Sequence, residues 1–115
     1  MTKEQLKKAI VALQNISINF KIDYFLFTGK VFVRGIVIHN PDDLSKVKSI
    51  LDSDILKKFK VKKSKEWYLG DPKEVVYLQL KEKIEISIEE YEALKKELEE
   101  LRNNEPIEKP KIKRQ

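Results

Sequence analysis

The chain has 115 residues, with 24 Lys and Arg against 19 Asp and Glu, 41% apolar and 37% charged residues and no cysteine; this is material for one domain, expected over residues 1–102. Charge far above the ~25% of an ordinary soluble chain belongs on solvent-facing positions and leaves a modest core, and the missing cysteines exclude disulfides and Cys-based zinc sites. No apolar run approaches the ~20 residues of a membrane span, and the opening MTKEQLKK lacks a signal peptide's apolar stretch, so an intracellular, cytoplasmic protein away from membranes is expected.

Thr2 and Gln5 have the spacing of a capping box, and Leu6, Ala9, Ile10 and Leu13 share one helical face, which predicts an amphipathic helix over 3–14. Ile16, Ile18, Phe20, Ile22, Tyr24 and Leu26 then alternate with Ser17, Asn19, Lys21 and Asp23, the period of a half-buried strand. Thr28-Gly29-Lys30 reads as a turn and Val31 to Ile38 as a returning strand, so a hairpin is predicted from about 16 to 38, with Gly35 marking a bulge or a close backbone approach. Asn40-Pro41-Asp42-Asp43 is a helix start, and Leu44, Val47, Ile50 and Leu51 would form its buried face. Asp52-Ser53-Asp54 interrupts that helix before a short helical turn at Ile55 to Phe59.

Residues 60–69 read as a basic strand, Gly70-Asp71-Pro72 as a turn and Val75 to Leu80 as its partner, a second hairpin. Ile84, Ile86 and Ile88 alternate again, either continuing that strand or forming a fifth. Ser87 and Glu90 make another capping box, and Tyr91, Leu94, Leu98 and Leu101 form a helical seam over about 88–102. Two heptads are too short for a free coiled coil, so the seam packs on the sheet or joins a second copy in a homodimer. Residues 103–115, with two prolines and no periodicity, read as a disordered basic tail. The predicted class is α+β: an antiparallel sheet of four to five strands with helices on one face, in the order α-β-β-α-β-β-(β)-α.

Catalytic signals are weak. His39 is the only histidine, at a strand-to-helix junction where local backbone would satisfy it, and Asp42 and Asp43 beside it are accounted for by capping rather than by a metal. The three glycines are too scattered for a phosphate loop. No catalytic constellation, metal or cofactor is implied, and an enzyme would require a pocket that gathers His39 with carboxylates.

The charge pattern says more. Seven lysines fall between Lys57 and Lys73 against Glu66 and Asp71, whereas seven glutamates fall between Glu85 and Glu100 against Lys95 and Lys96, which polarises the chain. Abundant Lys, Glu and Ile with one Met and no Cys also suits a thermophile. The segment KKFKVKKSKEWYLG interleaves cations with rings, as single-strand binders do. Lys58, Lys60, Lys62, Lys63 and Lys65 are therefore candidates to hold a nucleic-acid backbone, and Trp67 or Tyr68, of which one should enter the core, to stack bases. Phe25 and Phe27 have the parity of the charged side of the first strand, so they too are candidate stacking rings. Arginine is confined to Arg34, Arg102 and Arg114, which favours phosphate contact over base readout. The competing expectation is a protein-interaction module, an accessory subunit or an inhibitor carried by a virus or mobile element, whose lysine segment is merely solvated.

Overall fold

The structure is a computed structural model that describes residues 1–103, the side chains of Tyr68, Arg102 and Asn103 apart. The expected basic tail lies outside the described residues but for Asn103, which closes the last helix. In chain order the elements are α1 (Lys3–Asn15), β1 (Phe20–Phe27), β2 (Lys30–Ile38), a 3-10 turn (Pro41–Asp43), α2 (Leu44–Ile50), α3 (Ser53–Leu56), β3 (Phe59–Tyr68), β4 (Asp71–Ser87) and α4 (Ile88–Asn103). Two hairpins join through β2 and β4 into an antiparallel sheet of order β1-β2-β4-β3, an α+β fold.

Both capping boxes form. Thr2 Oγ1 accepts from the Gln5 N–H at 3.1 Å while Gln5 Oε1 accepts from the Thr2 N–H at 2.9 Å, and Ser87 and Glu90 reciprocate at 3.0 and 3.1 Å. The bonds to Ser87, and then Lys3 at 3.3 Å, hold the Glu90 carboxyl down at about 2; Lys7 stands 3.6 Å from its other oxygen. At its other end α1 stops in a Schellman motif: Ser17 takes the left-handed conformation (φ 58°), its N–H donates to Gln14 O, and the Ile18 N–H donates to Leu13 O. The first strand thus starts at Phe20 rather than near 16, because Ile16 and Ser17 are committed to ending the helix. Ile18 is buried as the apolar partner of that motif, not as part of the sheet.

Hairpin turns obey the same local rule. Thr28-Gly29 (φ 50° and 76°) and Leu69-Gly70 (φ 52° and 86°) both take two successive positive φ values, which matches the twist of antiparallel strands. The second turn sits one residue earlier than predicted, and Asp71 and Pro72 already belong to β4, where Pro72 lies opposite Trp67. The isoleucines at 84 and 86 make no fifth strand: β4 runs unbroken for 17 residues. Its Val76–Gln79 segment pairs with one half of β2 and its Ile84–Ser87 segment with the other, with a break in register at Arg34.

Paired residues share a sheet face, so the register defines the core. Val31, Val33, Ile36, Ile38, Val76, Leu78, Leu80, Ile84 and Ile86 point to one side and are buried there by Leu6, Ala9, Ile10 and Leu13 of α1, Val47 of α2, Ile55 of α3 and Leu94 of α4. Each large side chain in this set contributes on the order of 1.5–3 kcal/mol by leaving water. Ile50, expected in the core, is 43% exposed, because α2 ends there and the chain turns at Leu51.

Candidate functional site

Every described helix feeds that one core, so among the described residues the opposite, outer face of the sheet carries no helix. Its rows follow from the register. Nearest the first hairpin's turn lie Phe27 with Lys30 and Ser87, then Phe25 with Phe32 and Glu85; beyond the bulge lie Asp23, Gly35, Gln79 and Lys60, then Lys21, Val37, Tyr77 and Lys62.

The first two rows are aromatic. Phe25 and Phe32 stack with centroids 5.2 Å apart and planes 13° apart, and Phe27, 61% exposed, tilts against Phe32 at 6.5 Å. Two cations face the Phe25 ring, the Arg34 guanidinium at 5.1 Å and the Lys83 ammonium at 5.5 Å. Both come from the stretch where β2 and β4 slip register, the kind of irregularity that re-aims side chains. Phe25, Phe27, Phe32, Lys83 and Glu85 together line a shallow concavity of about 630 Å³.

At the centre, Asp23 is clamped by the Arg34 guanidinium at 3.0 Å and by the Tyr77 hydroxyl at 2.5 Å. Tyr77 stands on β4 and Asp23 on β1, so the phenol must cross β2, and it does so over Gly35. A Cβ on Gly35 would lie 2.4 Å from Leu78 O and 2.8 Å from the Tyr77 ring. Glycine is required here for close approach, not for an unusual φ. Burial, and then the bond and charge of Asp23, push the Tyr77 phenol up to about 12.

A deeper cleft lies toward the second hairpin. Glu66 on β3 reaches Lys21 Nζ of β1 at 2.6 Å and His39 Nδ1, just past β2, at 3.5 Å. Edge strands of a four-stranded sheet stand about 14 Å apart, so this bridge requires the β3–β4 arm to curl over the outer face. The cleft it encloses, about 720 Å³, is lined by Asn19, Lys21, His39, Lys65, Glu66, Trp67, Lys73 and Val75. His39 therefore does not settle on local backbone through its ring; its backbone N–H donates to Asn19 O while the imidazole faces the cleft. With its one carboxylate engaged by Lys21, the arrangement suits anion binding better than an acid–base pair.

The expected site residues divide among these surfaces. Phe25 and Phe27 are on the outer face, as are Lys60 and Lys62 opposite Gln79 and Tyr77, whereas Lys63 pairs opposite Val76 with helix-side parity; Lys65, opposite Glu74, shares that parity in the ladder but lines the cleft at the far end of β3. Lys58 lines a separate concavity with Met1, Gln5, Asp54 and Lys81. The lysines therefore do not share one wall. Trp67 is 77% exposed and does not enter the core; of Tyr68 the backbone pairs with Asp71 and the side chain is outside the described set. None of the six lysines from Lys57 to Lys65 makes an ion pair among the described residues. Of the seam on α4, Leu94 is buried in the chain's own core, Tyr91 and Leu98 pack against that core, and Leu101 is half-buried.

Phe32, Arg34, Asp23 and Tyr77 escaped the sequence reading. Gly35 was the one local signal pointing to them, since a glycine inside a strand marks a crossing.

Compared with known proteins, the chain matches no family model, no curated protein and no solved structure. Among the described residues no helix is long and apolar enough to cross a membrane, and no group of three or more His, Asp or Glu is placed to hold a metal ion.

Proposed function

We propose that the chain is a small nucleic-acid-binding protein that takes single-stranded DNA or RNA across the outer face of its sheet. The observation that carries this reading is the helix-free face on which stacked, partly exposed phenylalanines adjoin cations, continued by lysines with no acidic partner of their own. Phe25, Phe27 and Phe32 offer flat surfaces to bases, while Lys60, Lys62 and Lys83 neutralise phosphates. Base-specific readout is not part of the proposal, because lysine ammoniums are point charges. The test is anisotropy of a labelled single-stranded oligonucleotide at two salt concentrations, repeated with Lys60→Glu/Lys62→Glu and with Phe27→Ala/Phe32→Ala. Both variants are expected to weaken binding. No binding by the wild type, or binding indifferent to salt and to both variants, overturns the proposal.

A second observation favours the protein-interaction reading. Tyr24 and Leu26, the latter 63% exposed, open on edge strand β1 beside Ile88 and Tyr91 of α4 in a groove of about 490 Å³. Unpaired edges with apolar flanks recruit polypeptide. If Leu26→Lys abolishes function in the source cell while oligonucleotide binding is absent in the wild type, this reading replaces the first.

A further inference from the structure

The cleft under the β3–β4 arm is the most enclosed of the surfaces described on the outer face, and its composition is uneven. Lys21, His39, Lys65 and Lys73 bring basic side chains to it against a single carboxylate, Glu66, and Trp67 stands at its rim. Its volume of about 720 Å³ lies within the ~300–1,000 Å³ typical of small-ligand sites. The two Glu66 oxygens are shared out, Oε2 to Lys21 and Oε1 to His39, which is how two oxygens of one phosphate would be taken.

We propose that this cleft binds one nucleoside monophosphate unit: its phosphate displaces Glu66 from Lys21 and His39, and its base stacks on Trp67. The inference rests on the nucleic-acid reading above and deepens it by naming where one nucleotide, free or within a strand, is held. Glu66 is then a built-in competitor. A free nucleotide can displace it because a phosphate monoester carries more charge than a carboxylate and three strong acceptor oxygens; a diester within a strand carries one charge and two free oxygens, enough to match the two contacts of Glu66, and in both cases the ion pair given up is partly solvated and weak. The base has its platform ready, since a ring that is 77% exposed has little contact to lose when it is covered.

Trp67 is the only tryptophan in the chain, so its emission reports on the cleft directly. Adenosine monophosphate is titrated into the wild type, Glu66→Gln and Lys21→Met, with inorganic phosphate as competitor and a single-stranded oligonucleotide in a parallel series. Saturable quenching is expected, with tighter binding for Glu66→Gln and weaker binding for Lys21→Met, each by up to about fivefold, the scale of one partly exposed ion pair. The opposite signs separate a binding effect from damage to the fold, which circular dichroism checks independently. No saturable quenching, or both variants moving affinity the same way, overturns the proposal. An oligonucleotide bound with affinity indifferent to Lys21→Met overturns the cleft and spares the strand reading. Capture of the mononucleotide with no affinity for the oligonucleotide supports the cleft and overturns the strand reading.

Discussion

Gly35 is the position on which the outer face depends most. An added methyl there meets the Leu78 carbonyl and the Tyr77 ring at distances no real Cβ tolerates, so Gly35→Ala must push β2 from β4 or expel the phenol. Urea denaturation is expected to show a loss of about 3 kcal/mol, the upper range for overpacking; a loss below about 1 kcal/mol would mean that the ring does not lie where the structure puts it. Tyr77 makes a second, spectroscopic prediction. Its folded pKa is raised from an ordinary phenol's 10 to about 12, so its bond to Asp23 stabilises fully below pH 10 and is lost as pH rises between 10 and 12. Phenolate absorbance should therefore show a late-titrating component that Tyr77→Phe removes, and that variant should lose about 1 kcal/mol at neutral pH.

Most elements were legible because their causes are local: both capping boxes, the parity of β1 and the Asn40-Pro41 start could be read from neighbouring residues. Two of the boundaries that moved did so where the backbone turns left-handed without glycine; a third lies at α3, which begins at Ser53 rather than Ile55 and leaves Phe59 to open β3. Ser17 and Leu69 take positive φ with side chains that normally avoid it, so one helix end passed for strand and one turn slipped by a residue. The continuity of β4 was not legible, since a strand that breaks register and resumes looks like two strands in sequence. The α4 seam was legible as a pattern but not in its use. Leu94→Glu buries a charge in the core and should unfold the chain, whereas Leu101→Glu, at a half-buried position, should leave circular dichroism unchanged. Light scattering on the latter beside the wild type then reads assembly: a homodimer through α4 requires the mass to drop from twice the chain to once.

For the whole molecule, the basic arm and the acidic helix were visible as charge counts, and strand parity alone separates Lys60 and Lys62 from Lys63, but which side of β3 shares a face with Phe25 and Phe27 was not. That depends on register between strands far apart in sequence, and the bulge at Arg34 resets it midway. Hence Arg34 and Tyr77, which meet on Asp23 from up to 54 residues away in the chain, and Phe32, stacked on Phe25, left only the glycine as a trace. If three to five phosphates meet the outer-face lysines, the log–log dependence of oligonucleotide affinity on salt should have a slope of roughly −2 to −3.5. Lys60→Glu/Lys62→Glu should flatten it by about 1.4, and an unchanged slope would place the phosphates elsewhere. The central ladder also governs how the chain assembles itself. Each hairpin closes over a two-residue turn, but Lys30 finds Ser87 and Ile38 finds Val76 only after a long loop has been gathered in. Zipping β2 to β4 is therefore the slow, high-entropy step of folding, and until it occurs two half-sheets with bare edges coexist, each able to pair with a neighbour on a crowded ribosome.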